Sequence, residues 1–348
     1  MVVKMNKNSG CSRRFLTAVF APWLTVGLAT FSLAVCAQQD YQLGLGYSVN
    51  DMLTVGGYFS TEYAVGDDSE EFVVDDVAIL AYGNLTENFS FLAELESVDF
   101  FRHDFETGSS ESNVPPAIER LYGDYKFSDT YSVRFGKQIT PIGYWNLQPI
   151  NVLRETTSNP RFSREMYPKF LTGLDIYGYT PFDENTGYHL YFQGTEDLDD
   201  AYININIDRH LGLSLDRQLT CRWHAGVSMG RFDDLDNTAT RYLALNTRLA
   251  LGKLTLFMEG IRDLHESNSG LHEQSTAVYG QGEYRLTPQH ALIVRGEYFN
   301  NELTGIRERI GILGYSFRPV FPVSFKVEHQ WHSDSGDNLW LGSFSVLF

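Results

Sequence analysis

A period-two alternation of apolar and polar residues, a regular rhythm of short and long polar gaps, and aromatic residues at strand ends predict an all-β chain. They specify a transmembrane antiparallel β-barrel of about 16 strands.

The alternation is plainest in three stretches. In Phe89-Ser90-Phe91-Leu92-Ala93-Glu94-Leu95-Glu96 the odd positions are apolar, and in Tyr202-Ile203-Asn204-Ile205-Asn206-Ile207-Asp208 isoleucine alternates with Asn and Asp. Val323-Ser324-Phe325-Lys326-Val327-Glu328-His329-Gln330-Trp331 alternates throughout. A strand turns successive side chains to opposite faces, so each stretch has one apolar and one polar face. Such segments run to about ten residues, the length a tilted strand needs to cross a bilayer, whereas soluble strands average about five or six.

The gaps give the connectivity. Short turns are expected at residues 86–88, 128–130, 183–187, 216–218, 252–253, 287–289 and 318–322. Longer polar gaps are expected at 64–71, 101–116, 140–171, 195–200, 233–240, 265–272, 300–307 and 332–337. The two series interleave, as periplasmic turns and external loops do in outer-membrane barrels. Aromatics stand at strand ends, as at Tyr63, Tyr131, Tyr298, Trp331 and Trp340, where a membrane girdle would lie.

The termini and the charge bound the setting. Lys4, Lys7, Arg13 and Arg14 precede an apolar run that ends at Val35-Cys36-Ala37, so residues 1–37 read as a cleaved signal peptide and 38–348 as the barrel. Cys221 is then the remaining cysteine, which excludes an intramolecular disulfide. The formal net charge of -17 over 348 residues argues against a nucleic-acid partner. Acidic runs such as Asp67-Asp68-Ser69-Glu70-Glu71 and Glu196-Asp197-Leu198-Asp199-Asp200 lack the fixed ligand spacing of a calcium loop and read as solvated loop surface. No cofactor or metal is implied. Asn338 to Phe348 reads as a closing strand with Trp340, Phe344, Val346 and Phe348 on one face. It resembles the last strand of outer-membrane proteins, and the resemblance implies recognition of Phe348 by the barrel assembly machinery. The expected surroundings are the bacterial outer membrane, its lipid and lipopolysaccharide.

A barrel of this size encloses more space than its own wall side chains fill. What narrows it then decides what it does. The gap at 140–171 follows the fifth strand and is expected to fold inward as a long third loop. It carries Arg154, Arg161, Arg164 and Lys169 against Glu155 and Glu165, with Tyr144, Trp145, Phe162, Tyr167 and Phe170. A loop this long inside a compact domain is usually functional. Arg154, Arg161, Arg164, Lys169, Tyr144 and Trp145 are therefore the expected constriction residues, and the inward phase of the fourth and fifth strands adds Arg120 and Arg134.

The segment Tyr131-Ser132-Val133-Arg134-Phe135-Gly136-Lys137-Gln138-Ile139-Thr140-Pro141-Ile142-Gly143-Tyr144-Trp145-Asn146 resembles the strand-to-loop segment of phosphate-selective porin O/P-like proteins. The resemblance implies a trimeric or monomeric diffusion channel with some anion preference, and it makes Arg134 and Lys137 pore residues. This chain departs from those porins in being acidic and poor in lysine. The function expected is a water-filled channel for small polar or anionic solutes. The alternative is a non-conducting barrel serving as adhesin or scaffold. An enzyme is not expected, because His210, His224 and His329 lie near no nucleophile motif such as G-x-S-x-G.

Overall fold

The computed structural model describes residues 41–67, 69–113, 115–235, 238–266, 272–333 and 338–348. The expected signal peptide lies outside the described residues. Among the described residues, 16 long antiparallel strands close into one barrel, and three short strands, Tyr41–Gln42, Gly46–Asn50 and Ser110–Ser112, pair onto its sheet. The long strands are β1 (Leu53–Val65), β2 (Glu70–Asn84), β3 (Phe89–Asp104), β4 (Ala117–Lys126), β5 (Ser132–Ile139), β6 (Phe170–Thr180), β7 (Asp183–Gln193) and β8 (Ile207–Thr220). The circuit continues through β9 (Trp223–Asp234), β10 (Ala239–Leu251), β11 (Leu254–Glu266), β12 (His272–Arg285), β13 (His290–Asn301), β14 (Ile306–Phe317), β15 (Val323–His332) and β16 (Asn338–Leu347). Each pairs with its neighbour in sequence. β16 returns to β1 through pairs running from Trp340 opposite Val65 to Leu347 opposite Tyr58. Closure leaves no wall strand with an unpaired edge. Among the described residues no helix is long and apolar enough to cross a membrane, which leaves the strands' own capacity to cross untouched.

The exterior is the apolar face the alternation predicts. Ile79, Leu95, Leu121, Leu174, Leu211, Leu245, Val294, Leu313 and Val327 are all exposed on it, Val294 to 60%. A continuous apolar belt of this kind is foreign to a soluble surface. Aromatics border it at both ends: Tyr63, Trp331 and Trp340 toward the long loops, and Tyr125, Tyr131, Trp223, Tyr284 and Phe348 toward the short turns.

The interior departs from simple alternation in two ways. First, β7 to β13 are apolar on both faces over part of their length. Tyr191, Phe232, Tyr242, Ile261, Tyr279 and Phe299 point inward and are buried, because the third loop lies against them as a dry partner. Second, the ladders of β1 to β4 are broken by bulges, between Phe59 and Thr61, between Val74 and Asp76, and where Arg120 and Ile118 face Glu94 and Leu95. A bulge sets two residues against one and shifts the in-out phase. Asp75 and Asp76 consequently both reach the lumen, and Glu119 and Arg120 are both buried.

Three expectations are corrected. The turn expected at 183–187 is the start of β7. The Asp183 carboxylate accepts bonds from the Asn185 backbone N–H and the Thr186 hydroxyl at 3.0 Å each, which supports a bulge rather than a reversal. The turn expected at 216–218 lies at 221–222, where the Thr220 hydroxyl accepts from the backbone N–H of Trp223 at 3.1 Å. Finally, residues 202–206 alternate like a strand but form a loop, with β8 starting at Ile207. The Asn204 side chain is taken up by the third loop, which draws this stretch away from the sheet.

Candidate pore constriction

The third loop, residues 140–169, folds into the barrel. Its base is closed where the Thr140 N–H donates to the Lys169 carbonyl at 3.0 Å, and Asn146 Nδ2 donates to the Thr140 carbonyl at 2.7 Å. Ile142, Trp145, Phe162, Met166 and Tyr167 then pack on the apolar inner arc of β7 to β13. Further along, Ile150 and Val152 pack on Tyr58, Ala78 and Leu80 of β1 and β2. The loop thus bridges the lumen, with a 3-10 turn at Asn151–Leu153 and one short helix, α1, at Arg161–Glu165.

Charged wall residues hold its backbone. The Glu259 carboxylate accepts from the N–H groups of Tyr144 at 2.8 Å and Trp145 at 2.9 Å, and also from the Tyr279 hydroxyl. The approach demands glycine at 143. That residue sits at φ +66, and a Cβ there would meet Glu259 Oε2 at 1.9 Å. Glu328 accepts from the N–H groups of Thr157 and Ser158 at 3.1 Å each, and Glu297 from that of Arg161 at 2.8 Å. Arg295 donates to the Ser158 hydroxyl at 2.6 Å, and Lys326 to the Asn151 carbonyl at 2.6 Å. Glu155 reaches back to Arg285 at 2.5 Å and Arg318 at 3.1 Å. Burial pushes the Glu155 carboxyl up, but these two guanidinium groups outweigh it and hold it below its ordinary value of 4.5.

On its free side the loop faces a cavity of about 350 Å³. Asp75 and Asp76 of β2, Glu96 of β3 and Glu119 of β4 form one side of it. Arg154, Arg164 and Lys169 form the other, with Trp145 and Phe170. Tyr202 and Asn204 complete the lining from the loop before β8. Asn204 accepts from the Lys169 N–H at 2.8 Å and donates to the Arg164 carbonyl at 3.0 Å and the Tyr167 carbonyl at 2.7 Å. One amide side chain therefore clamps the backbone that presents both cations.

Of the expected residues, Trp145, Arg154, Arg164 and Lys169 meet at this cavity. The others are placed elsewhere. Arg161 pairs with Glu165 at 2.7 Å and with Glu308, and stacks over Phe299. Tyr144 packs against Phe257. Arg120 is buried against Glu94 in the wall. Arg134 pairs with Asp124 at 2.6 Å between the rings of Tyr122 and Tyr177. Lys137 is fully buried, donating to the Asp199 carbonyl. Asp199 also accepts from the Ile118 N–H at 2.8 Å, and Asp197 from the Thr172 hydroxyl at 2.9 Å. The acidic run at 196–200 thus stitches the wall at these two residues, rather than being wholly solvated surface.

Asp75, Glu119, Asn204 and Glu259 were not among the expected site residues. The adjacent charges Asp75-Asp76 and Glu119-Arg120 interrupt the alternation and are the signal that would have exposed the bulges.

No family model matches the chain. A stretch of 144 residues, 38% of the chain, is 31% identical to an uncharacterized protein of Aquifex aeolicus and spans 31% of that protein's length. Among solved structures the chain is similar to an anion-selective porin from Comamonas acidovorans, with a TM-score of 0.63 at 10% identity, covering 85% of this chain and 99% of that one. It is similar also to the outer-membrane channel DcaP of Acinetobacter baumannii, with a TM-score of 0.59 at 10% identity over 88% and 100% of the two chains. OmpF of Salmonella typhi matches with a TM-score of 0.59 at 9% identity over 85% and 97%. The fold is that of a porin-like barrel of 16 strands. These likenesses do not single out the phosphate-selective O/P type.

Proposed function

We propose that this chain is an outer-membrane porin, a water-filled diffusion channel for small polar or anionic solutes, with its narrowest point at the third loop. The observation that carries this reading is the cavity between the loop's Arg154, Arg164 and Lys169 and the acidic side formed by Asp75, Asp76, Glu96 and Glu119. Charges that remain in a hydrated gap set the potential a passing ion meets. The apolar exterior between two aromatic borders supports a membrane setting.

The second reading, a non-conducting barrel, is favoured by the apolar packing of the third loop against β7 to β13, which fills part of the lumen. Single-channel recording in planar bilayers separates the two. A porin gives discrete conductance steps whose ion selectivity moves toward cations when Arg154 becomes Glu. A refolded barrel that inserts without any conductance would defeat the channel reading.

A further inference from the structure

The outer surface of β8 to β14 carries charges that a diffusion channel does not use. Near their long-loop ends these strands expose Arg209, Arg231, Arg241, Arg262, Arg307 and Arg309. Each stands in the outward phase of its strand, where Leu211, Leu243, Leu264 and Leu313 are exposed below or beside it. An outward arginine is strongly disfavoured at a bilayer midplane and tolerated near the interface. The set therefore marks the headgroup level and not the hydrocarbon.

Two of the six share one row of the sheet. Arg262 stands opposite Thr276, Thr276 opposite Asn300, and Asn300 opposite Arg307. Three strand spacings put the two arginine backbones about 14 Å apart, a span that two long side chains close from either end over a hydroxyl and an amide. Arg309 lies in the next outward row, opposite Tyr298. Among the described residues the side chains of Arg262 and Arg307 meet neutral partners: Gln274 at 2.5 Å for Arg262, and the Tyr298 hydroxyl at 3.2 Å for Arg307. Arg209, Arg231 and Arg241 are partly compensated, by Asp208 at 3.7 Å, Asp233 at 2.9 Å and Glu266 at 3.5 Å. The opposite arc, from β15 through β3, presents Trp331, Trp340, Tyr63 and Phe105 at the same end.

The chemistry is selective in kind. All six cations are arginines, whose planar forks match phosphate oxygens in pairs where a lysine offers a point charge. They sit together on a chain whose formal net charge is -17. We propose that the Arg262-Thr276-Asn300-Arg307 row binds the phosphate groups of an anionic lipid in the outer leaflet, whose acyl chains lie on the exposed apolar side chains below, Met258, Val294 and Leu313. This rests on the outer-membrane reading above.

The test uses the refolded barrel in micelles doped with diphosphoryl lipid A or with its dephosphorylated form, native mass spectrometry counting the lipid retained. The wild type is expected to retain the phosphorylated form about tenfold better, as two charge-assisted forks imply. The double variant Arg262→Gln/Arg307→Gln loses that preference, and Arg222→Gln at a short turn keeps it. Equal retention of both lipids by the wild type overturns the proposal, as does an undiminished preference in the double variant. Should the double variant not fold, the wild-type comparison decides alone. Conductance is recorded on the same samples. Lipid preference without conductance defeats the channel reading only, and conductance without preference defeats this one only.

Discussion

The Lys169 ammonium lies 3.2 Å from the Glu119 carboxylate, joining the end of the third loop to the bulge of β4. The pair closes one edge of the cavity between the cationic loop and the acidic side. Its two members act on selectivity in opposite senses.

Lys169→Glu should shift the reversal potential toward cations, and Glu119→Gln toward anions. Each change alters one charge at the edge of this cavity, where low-dielectric walls focus the field. Permeability ratios are expected to move by about twofold or more. Salt-gradient measurements on the purified protein check this, and identical shifts from the two substitutions would refute the opposed-charge geometry.

Glu259→Gln should loosen the loop without unfolding the barrel. The carboxylate serves the Tyr144 and Trp145 N–H groups, and an amide turns one acceptor into a donor facing them. Hydrogen bonds to charged groups are worth about 1.5–3 kcal/mol each. The variant is expected to flicker between conductance levels while its heat-shifted mobility on gels stays near wild type. A steady, wild-type trace would show that the anchor is dispensable.

Asn204→Leu should produce a related defect from the other side. It removes three bonds to loop backbone, at about 1 kcal/mol each. Because these bonds hold the segment bearing Arg164 and Lys169, selectivity should blur along with the rise in open-channel noise. Asn204→Asp, which keeps the acceptor for the Lys169 N–H and loses both donors, is expected to fall between.

The Glu155 anchor predicts an acid limit. Its folded carboxyl lies below its ordinary value of 4.5, held there by Arg318 and Arg285 against burial. A depressed carboxyl contributes stability that is full above the unfolded value and is lost as pH falls through the folded one. Loop closure should therefore be unaffected above about pH 5 and weaken progressively below 4.5. Glu155→Gln should lack this component at every pH. Noise recorded between pH 7 and 3 tests it, and a variant with the same acid onset as wild type would rule Glu155 out as the source.

The wall could be read from the chain. Leu292 and Val294 outward against Arg295 and Glu297 inward is a pattern any neighbouring strand would respect, since period-two geometry is local. The long gap at 140–171 announced the third loop, and Trp145, Arg154, Arg164 and Lys169 were found within it. The start of β8 was misplaced because Ile203, Ile205 and Ile207 alternate whether or not a sheet receives them. Asn204 changes that outcome through bonds to residues about 40 positions away.

By itself, then, the sequence determined a closed barrel with an apolar outside, a long basic loop after the fifth strand, and both belts of aromatics. Tertiary structure alone decided which charges meet. Asp75 and Glu119 enter the cavity because bulges shift the phase of β2 and β4. Arg120, Arg134 and Lys137 are withdrawn into the wall by partners on other elements. Alternation is a property of one strand, whereas the site depends on register and on where a loop comes to rest, and those are settled between segments far apart in the chain.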